Sequence, residues 1–126
     1  MIRLLVVDDE SDICDFVKNF FKERNFEVDT ACNGKEAIKC VEARKPHIVL
    51  LDIKMPVMDG LEALKEIQRI DDGIKVVMVT AVEDAETIKE TKRRGATEHI
   101  TKPLLLEQLE RIVLTIAEQI KIAARC

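Results

Sequence analysis

Short apolar runs and amphipathic stretches alternate along the chain. Residues 2–7, I-R-L-L-V-V, read as a buried strand ending at Asp8-Asp9-Glu10. Ser11 is expected to cap a helix with the apolar stripe Ile13, Phe16, Val17, Phe20 and Phe21, and Asn25 suits a left-handed stop. Residues 26–32 set Phe26 and Val28 against Glu27 and Asp29, the alternation of a strand near a sheet edge. Asn33-Gly34 reads as a turn into a second helix, which carries Ala37, Ile38 and Val41 and must end before Pro46. Residues 48–51, I-V-L-L, lack alternation and are partly β-branched, so they predict a strand buried on both faces that ends on Asp52. Pro56 stiffens the loop Lys54-Met55-Pro56. Asp59 is placed to cap a third helix that buries Leu61, Leu64 and Ile67 and stops at Asp72-Gly73. A strand over 74–79 ends at Thr80-Ala81. The helix over 84–94 is weak, with Ala85 and Ile88 nearly its whole apolar stripe, and Gly95 ends it. A short strand over 97–101, Lys102-Pro103 and a long helix over 104–124 complete the chain.

A strand–helix unit repeated five times predicts an α/β fold: a parallel sheet with helices on both faces, joined by right-handed crossovers. The 126 residues suffice for one domain with one core, and one domain over 1–126 is expected, with no effector domain inside it. Such a domain could be a free-standing protein or part of a larger regulator. The net charge of −4, with no Trp or Tyr and four Phe, argues against a nucleic-acid surface. No apolar run approaches the roughly 20 residues of a membrane span, and the apolar start is too short for a signal peptide. Cys14, Cys32, Cys40 and Cys126 form no C-x-x-C pair and no metal-ligand spacing with the two His. Free thiols in a reducing cytoplasm are expected.

In a parallel sheet every strand's carboxyl end points to the same edge. That edge collects Asp8 and Asp9, Asp52, Thr80 and Lys102 from nearly the whole length of the chain. Two carboxylates ~5 Å apart at an effective dielectric of ~20 repel by roughly 3 kcal/mol. Three of them therefore call for a cation, and oxygen ligands suit Mg²⁺ or Mn²⁺. A hydroxyl and an ammonium on neighbouring strands are partners for an anion opposite the metal. Together these groups describe phosphoryl transfer onto a carboxylate.

V-V-D-D-E at 6–10, L-L-D-I-K-M-P-V-M-D-G at 50–60, V-T-A at 79–81 and T-K-P at 101–103 make the chain resemble the receiver domain of two-component response regulators. The resemblance implies a flavodoxin-like, doubly wound sheet of order 2-1-3-4-5. It implies that Asp52 accepts a phosphoryl group from a sensor histidine kinase or phosphotransfer protein. It implies Mg²⁺ held by Asp8, Asp9, Asp52 and the backbone carbonyl of Lys54. Thr80 and Lys102 are then the groups that meet the phosphoryl oxygens, the bond before Pro103 is cis, and Asp59 and Gly60 are structural. Such a domain is a signalling phosphoacceptor, not a turnover enzyme, and it assists its own phosphotransfer and dephosphorylation. His99 stands where the family usually has Tyr or Phe, so an aromatic in/out switch is in doubt. Lys54 and Val82 stand where the family tunes phosphoryl lifetime.

Three other readings compete. A haloacid-dehalogenase-type phosphatase needs an acid two residues after the nucleophile, where this chain has Lys54. A flavodoxin-like cofactor binder needs a Thr/Ser/Gly-rich loop where this chain has Asp8-Asp9-Glu10. An unphosphorylated receiver-like interaction module would not need the full acid set. Finally, the last helix would be ~31 Å long against strands of ~17–20 Å. Leu105, Leu109, Ile112, Ile116, Ile120 and Ala123 approach a coiled-coil seam, which suggests an overhang pairing two copies as a homodimer.

Overall fold

The computed structural model describes residues 1–53, 55, 58–80 and 85–124. Strands β1 (Arg3–Val7), β2 (Glu27–Ala31), β3 (Ile48–Asp52), β4 (Lys75–Thr80) and β5 (Glu98–Thr101) alternate with helices α1 (Ser11–Lys22), α2 (Gly34–Ala43), α3 (Gly60–Ile70), α4 (Ala85–Arg93) and α5 (Leu106–Ala124). All strand pairs are parallel, in the order β2-β1-β3-β4-β5. Strands β1 and β3, with their continuous apolar runs at 4–7 and 48–51, lie inside the sheet, while the alternating β2 lies at its edge, as a half-buried strand should.

The two faces of the sheet carry separate cores. Leu4, Val6, Leu50, Val77 and Ile100 pack with α1 and α5 around Val17, Phe21, Leu109, Val113 and Ile116. Leu5, Val7, Val49, Leu51 and Met78 pack with α2 and α3 around Ala37, Val41, Ala63, Leu64 and Ile67. Successive strand residues thus alternate between two cores, which is why β1 and β3 show no polar alternation.

Several local expectations hold and several do not. Asn25 adopts φ 68° and ends the α1 turn, and Gly95 adopts φ 94° after α4. The Asp59 side chain caps α3 by accepting from Glu62 N–H at 2.9 Å. Asn33 is a helix cap, not a turn residue: its side-chain oxygen accepts from Glu36 N–H at 2.9 Å. Ser11 does not cap α1. It is the first helical residue, and Glu10 holds the cap position with no side-chain bond. On α1, Cys14 is buried where Phe16 was expected, and Phe16 is 57% exposed. On α3, Leu64 and Ile67 are buried as expected, but Ala63 joins them in place of Leu61, which is only partly covered. On α4, Ala85 is exposed and Ile88 half-buried, and the buried residue is Thr91.

Helix α5 starts at Leu106, two residues later than expected. Its docked stripe also runs further. Ile116 and Ala117 are buried, and Ile112 and Ile120 pack against the α1/α5-side core. There Ala117 shares a groove with Ile2 and Phe26, and Ile120 shares one with Pro46, His47 and Ile74, on the segments that lead into β3 and β4. The seam read from the sequence is therefore mostly intramolecular, and Leu105 and Ala123 are its exposed members.

Candidate functional site

Each residue of the site stands where a strand ends. Beyond β1, Asp8 N–H continues the ladder by donating to Ala31 O at 3.1 Å. The Asp8 carboxylate turns back to accept from Glu10 N–H at 2.9 Å, holding the entry to α1. Asp52 is the last residue of β3 and is 3% exposed. Thr80 is the last residue of β4 and is also buried, and its carbonyl accepts from Lys102 N–H at 2.7 Å. That backbone bond carries the β5 end past β4 and brings Lys102 Nζ to 3.1 Å from Asp52 Oδ2. Lys102 precedes a cis bond to Pro103.

Carboxylate oxygens of Asp8, Asp9 and Asp52 lie within 4.8 Å of one another. Asp8 is buried and Asp9 exposed. Burial pushes the Asp8 carboxyl above its usual range; the Glu10 N–H opposes this and the charge of Asp52 adds to it. For Lys102, burial alone would lower the ammonium's pKa, but the hydrogen bond and charge of Asp52, helped by Asp8 and Glu10, raise it. The pocket thus favours the charged form of its lysine and disfavours that of Asp8.

Gly60 makes this geometry fit. A Cβ there would stand 2.4 Å from Asp52 O and 2.6 Å from Ile53 Cα. The first turn of α3 therefore lies directly on the end of β3, with Gly60 N–H donating to Ile53 O at 2.8 Å. Gly34 allows a similar approach to Met58 on the neighbouring loop.

The structure brings Asp8, Asp9, Asp52, Thr80 and Lys102 to one edge, as expected from strand order. Lys54 and Val82 lie outside the described residues. His99 is not in the pocket; its ring meets Thr91 of α4. Two features escaped sequence reasoning. Cys14 lies beneath the site with its thiol 3.4 Å from Asp8 O, and burial together with the Asp8 charge pushes it up to about 11. An apolar groove of about 480 Å³ adjoins the pocket, lined by Ile13, Phe16, Lys102, Pro103, Leu104 and Leu106 among others. Phe16 signalled it, as an aromatic on the α1 stripe with no core to enter. Cys14, Cys32 and Cys40 are free thiols. No described helix is long and apolar enough to cross a membrane.

Comparison with known proteins agrees with this geometry. The family model for the response regulator receiver domain matches residues 4–114. The chain is 36% identical to the sporulation initiation phosphotransferase F of Bacillus subtilis over 107 residues, 85% of this chain and 86% of that one. It is 42% identical to the chemotaxis protein CheY of Listeria monocytogenes over 116 residues, covering 88% and 98% of the two chains. Among solved structures, a two-component response regulator from Clostridium difficile superposes with a TM-score of 0.89 at 27% identity, covering 95% and 98%. With the family model matched over residues 4–114 and relatives of 36% and 42% identity covered over most of their length, the chain belongs to the response regulator receiver domain family.

Proposed function

We propose that Asp52 is the phosphoacceptor of a two-component relay. The observation that carries this is the buried Asp52 carboxylate at a strand end, 3.1 Å from the Lys102 ammonium and grouped with two further acids. An Asp52 oxygen attacks the phosphorus of a phosphohistidine. The P–N bond breaks, the histidine nitrogen keeps the electron pair, and an acyl phosphate forms. Lys102 pairs with Asp52 before transfer and with a phosphoryl oxygen after it. Thr80, one residue beyond the partner of Asp52 on β4, offers a hydroxyl to another oxygen. The donor is a histidine kinase or phosphotransfer protein, and the groove that shares Lys102 with the pocket offers it a seat. The name of the sporulation relative, a phosphotransferase, agrees with this chemistry.

The donor set fits a hard divalent cation. Three carboxylates and one ammonium leave two net negative charges, and all the ligand atoms are oxygens. Asp8, Asp9 and Asp52 would hold Mg²⁺ or Mn²⁺, with the Lys54 carbonyl as a further ligand. Such an ion, when bound, neutralises charge on the transferring phosphoryl group. The chain then acts as a cytoplasmic signalling acceptor and not as a turnover enzyme.

The test is intact mass after treatment with acetyl phosphate and Mg²⁺. The chain should gain one phosphate, and Asp52→Asn should gain none. An equal label in that variant would overturn the assignment.

A further inference from the structure

Helix α4 is held to the sheet by little. Ala85, Glu86, Lys89, Lys92 and Arg93 are exposed, and the buried residue of the helix is Thr91, at 0%. Thr91 is polar, and its hydroxyl has two partners. It donates its single proton to Ile88 O at 2.9 Å. Its lone pairs are therefore what meets His99 Nε2 in the adjoining contact. Nε2 must carry a hydrogen and donate it. Nδ1 is then the nitrogen that gains a proton in acid.

The ring lies on the α4 side of the sheet. His99 pairs in register with Met78, which faces the α2/α3-side core, while the next residue, Ile100, faces the opposite core with α5. Helix α5 is thus on the far side of the sheet from it. From α4, Lys92 acts on the ring and repels an imidazolium; from its own strand, Glu98 attracts one. On the loop that follows α4, Gly95 lies against the uncharged Gln68 of α3.

We propose that His99 and Thr91 form a proton-sensitive clasp between β5 and α4, closed when the imidazole is neutral and loosened when it is protonated. Protonation leaves the Nε2 donor in place, so the bond is not lost for want of a hydrogen. What changes is that a cation then sits half-buried beside Lys92, and the ring regains hydration only by turning out and taking its donor from Thr91. Burial first, and Lys92 second, hold the His99 pKa below the ordinary 6.5, against the smaller pull of Glu98. The unfolded segment therefore binds more protons than the docked one. By linkage the clasp's contribution is complete above pH 6.5 and is lost as pH falls through the lower, docked-state value. The device belongs to the unphosphorylated chain and does not depend on Asp52.

Amide exchange of residues 85–93, corrected for intrinsic rates and compared with α3 between pH 8 and 5 in metal-free buffer, tests it. Protection of α4 should fall in acid, by up to about tenfold for each unit by which docking lowers the His99 pKa. His99→Gln keeps an N–H for Thr91 but cannot titrate, so its α4 protection should be flat, while any titration of the carboxylates persists. Thr91→Val should lose α4 protection at every pH, and Thr91→Ser should restore it. Wild-type protection that is flat with pH, or a loss of equal size in His99→Gln, would overturn the clasp. If Thr91→Val does not fold, His99→Gln alone decides.

Discussion

At the scale of single residues, the pocket balances charge against burial. Asp8 is the clearest case, because its carboxylate is buried and its pKa is raised, chiefly by burial. A folded-state pKa above the unfolded 3.8 means the native state binds the extra proton. Asp8 therefore costs nothing below pH 3.8 and weighs against folding once pH passes its folded value. Asp8→Asn keeps an oxygen for the Glu10 N–H and removes the charge. In chelator, urea melts at pH 7 should show the variant more stable than the parent, with the gap closing toward pH 4. Mg²⁺ should stabilise the parent by mass action, by about 2.7 kcal/mol at a hundred times its Kd, and the variant by much less. A parent melt indifferent to millimolar Mg²⁺ would contradict the acid pocket.

At the scale of elements, the joints between strand and helix matter most. Gly60 shows this most sharply, since α3 begins on the backbone of Asp52 and Ile53. Gly60→Ala has no flexible side chain to push aside there, so the strand end or the helix must move. It should cost about 1–3 kcal/mol in chemical denaturation. It should also slow acetyl phosphate labelling of Asp52, because the acceptor moves with its strand. Gly73→Ala is the control: a Cβ there meets only the Asp71 side-chain oxygen, at 3.1 Å, in an exposed turn. Equal stability and labelling in both variants would show that the close approach is unimportant. Helix α5 carries a related lesson. Shortening the chain at Ile116 would remove Ala117 and Ile120 from the core, so a test of self-pairing must spare them.

At the scale of the whole molecule, the site and the α4–β5 face share strand ends. Thr80 closes β4, its carbonyl holds Lys102, and three residues before Lys102 is His99, which reaches α4. A phosphoryl group that draws Thr80 and Lys102 toward Asp52 pulls on that connection, and the thinly docked α4 is the element with least to lose. Phosphorylation should therefore change amide exchange over residues 85–101. A response confined to the loops touching Asp52 would mean that no switch propagates.

The apolar runs by themselves determined five strands, five helices, the parallel class and the interior place of β1 and β3. They did so because burial on two faces leaves no polar alternation. Strand order along the chain also determined the site, since parallel pairing puts Asp8, Asp52, Thr80 and Lys102 at one edge whatever their separation. The 2-1-3-4-5 order came from family resemblance and was borne out by the sheet. What periodicity cannot report is which neighbour a face meets. Phe16 has the right spacing for the α1 core, yet Cys14 is the residue that joins it. The α5 seam reads as free because the sequence does not show that its far end meets the segments leading into the strands. Thr91 lies outside the α4 stripe read from the sequence because a hydroxyl reads as polar until an Ile88 carbonyl and a His99 ring are placed beside it. Spacing can rank apolar positions along one element, but only the packed fold supplies the partner that turns a polar residue into a buried anchor.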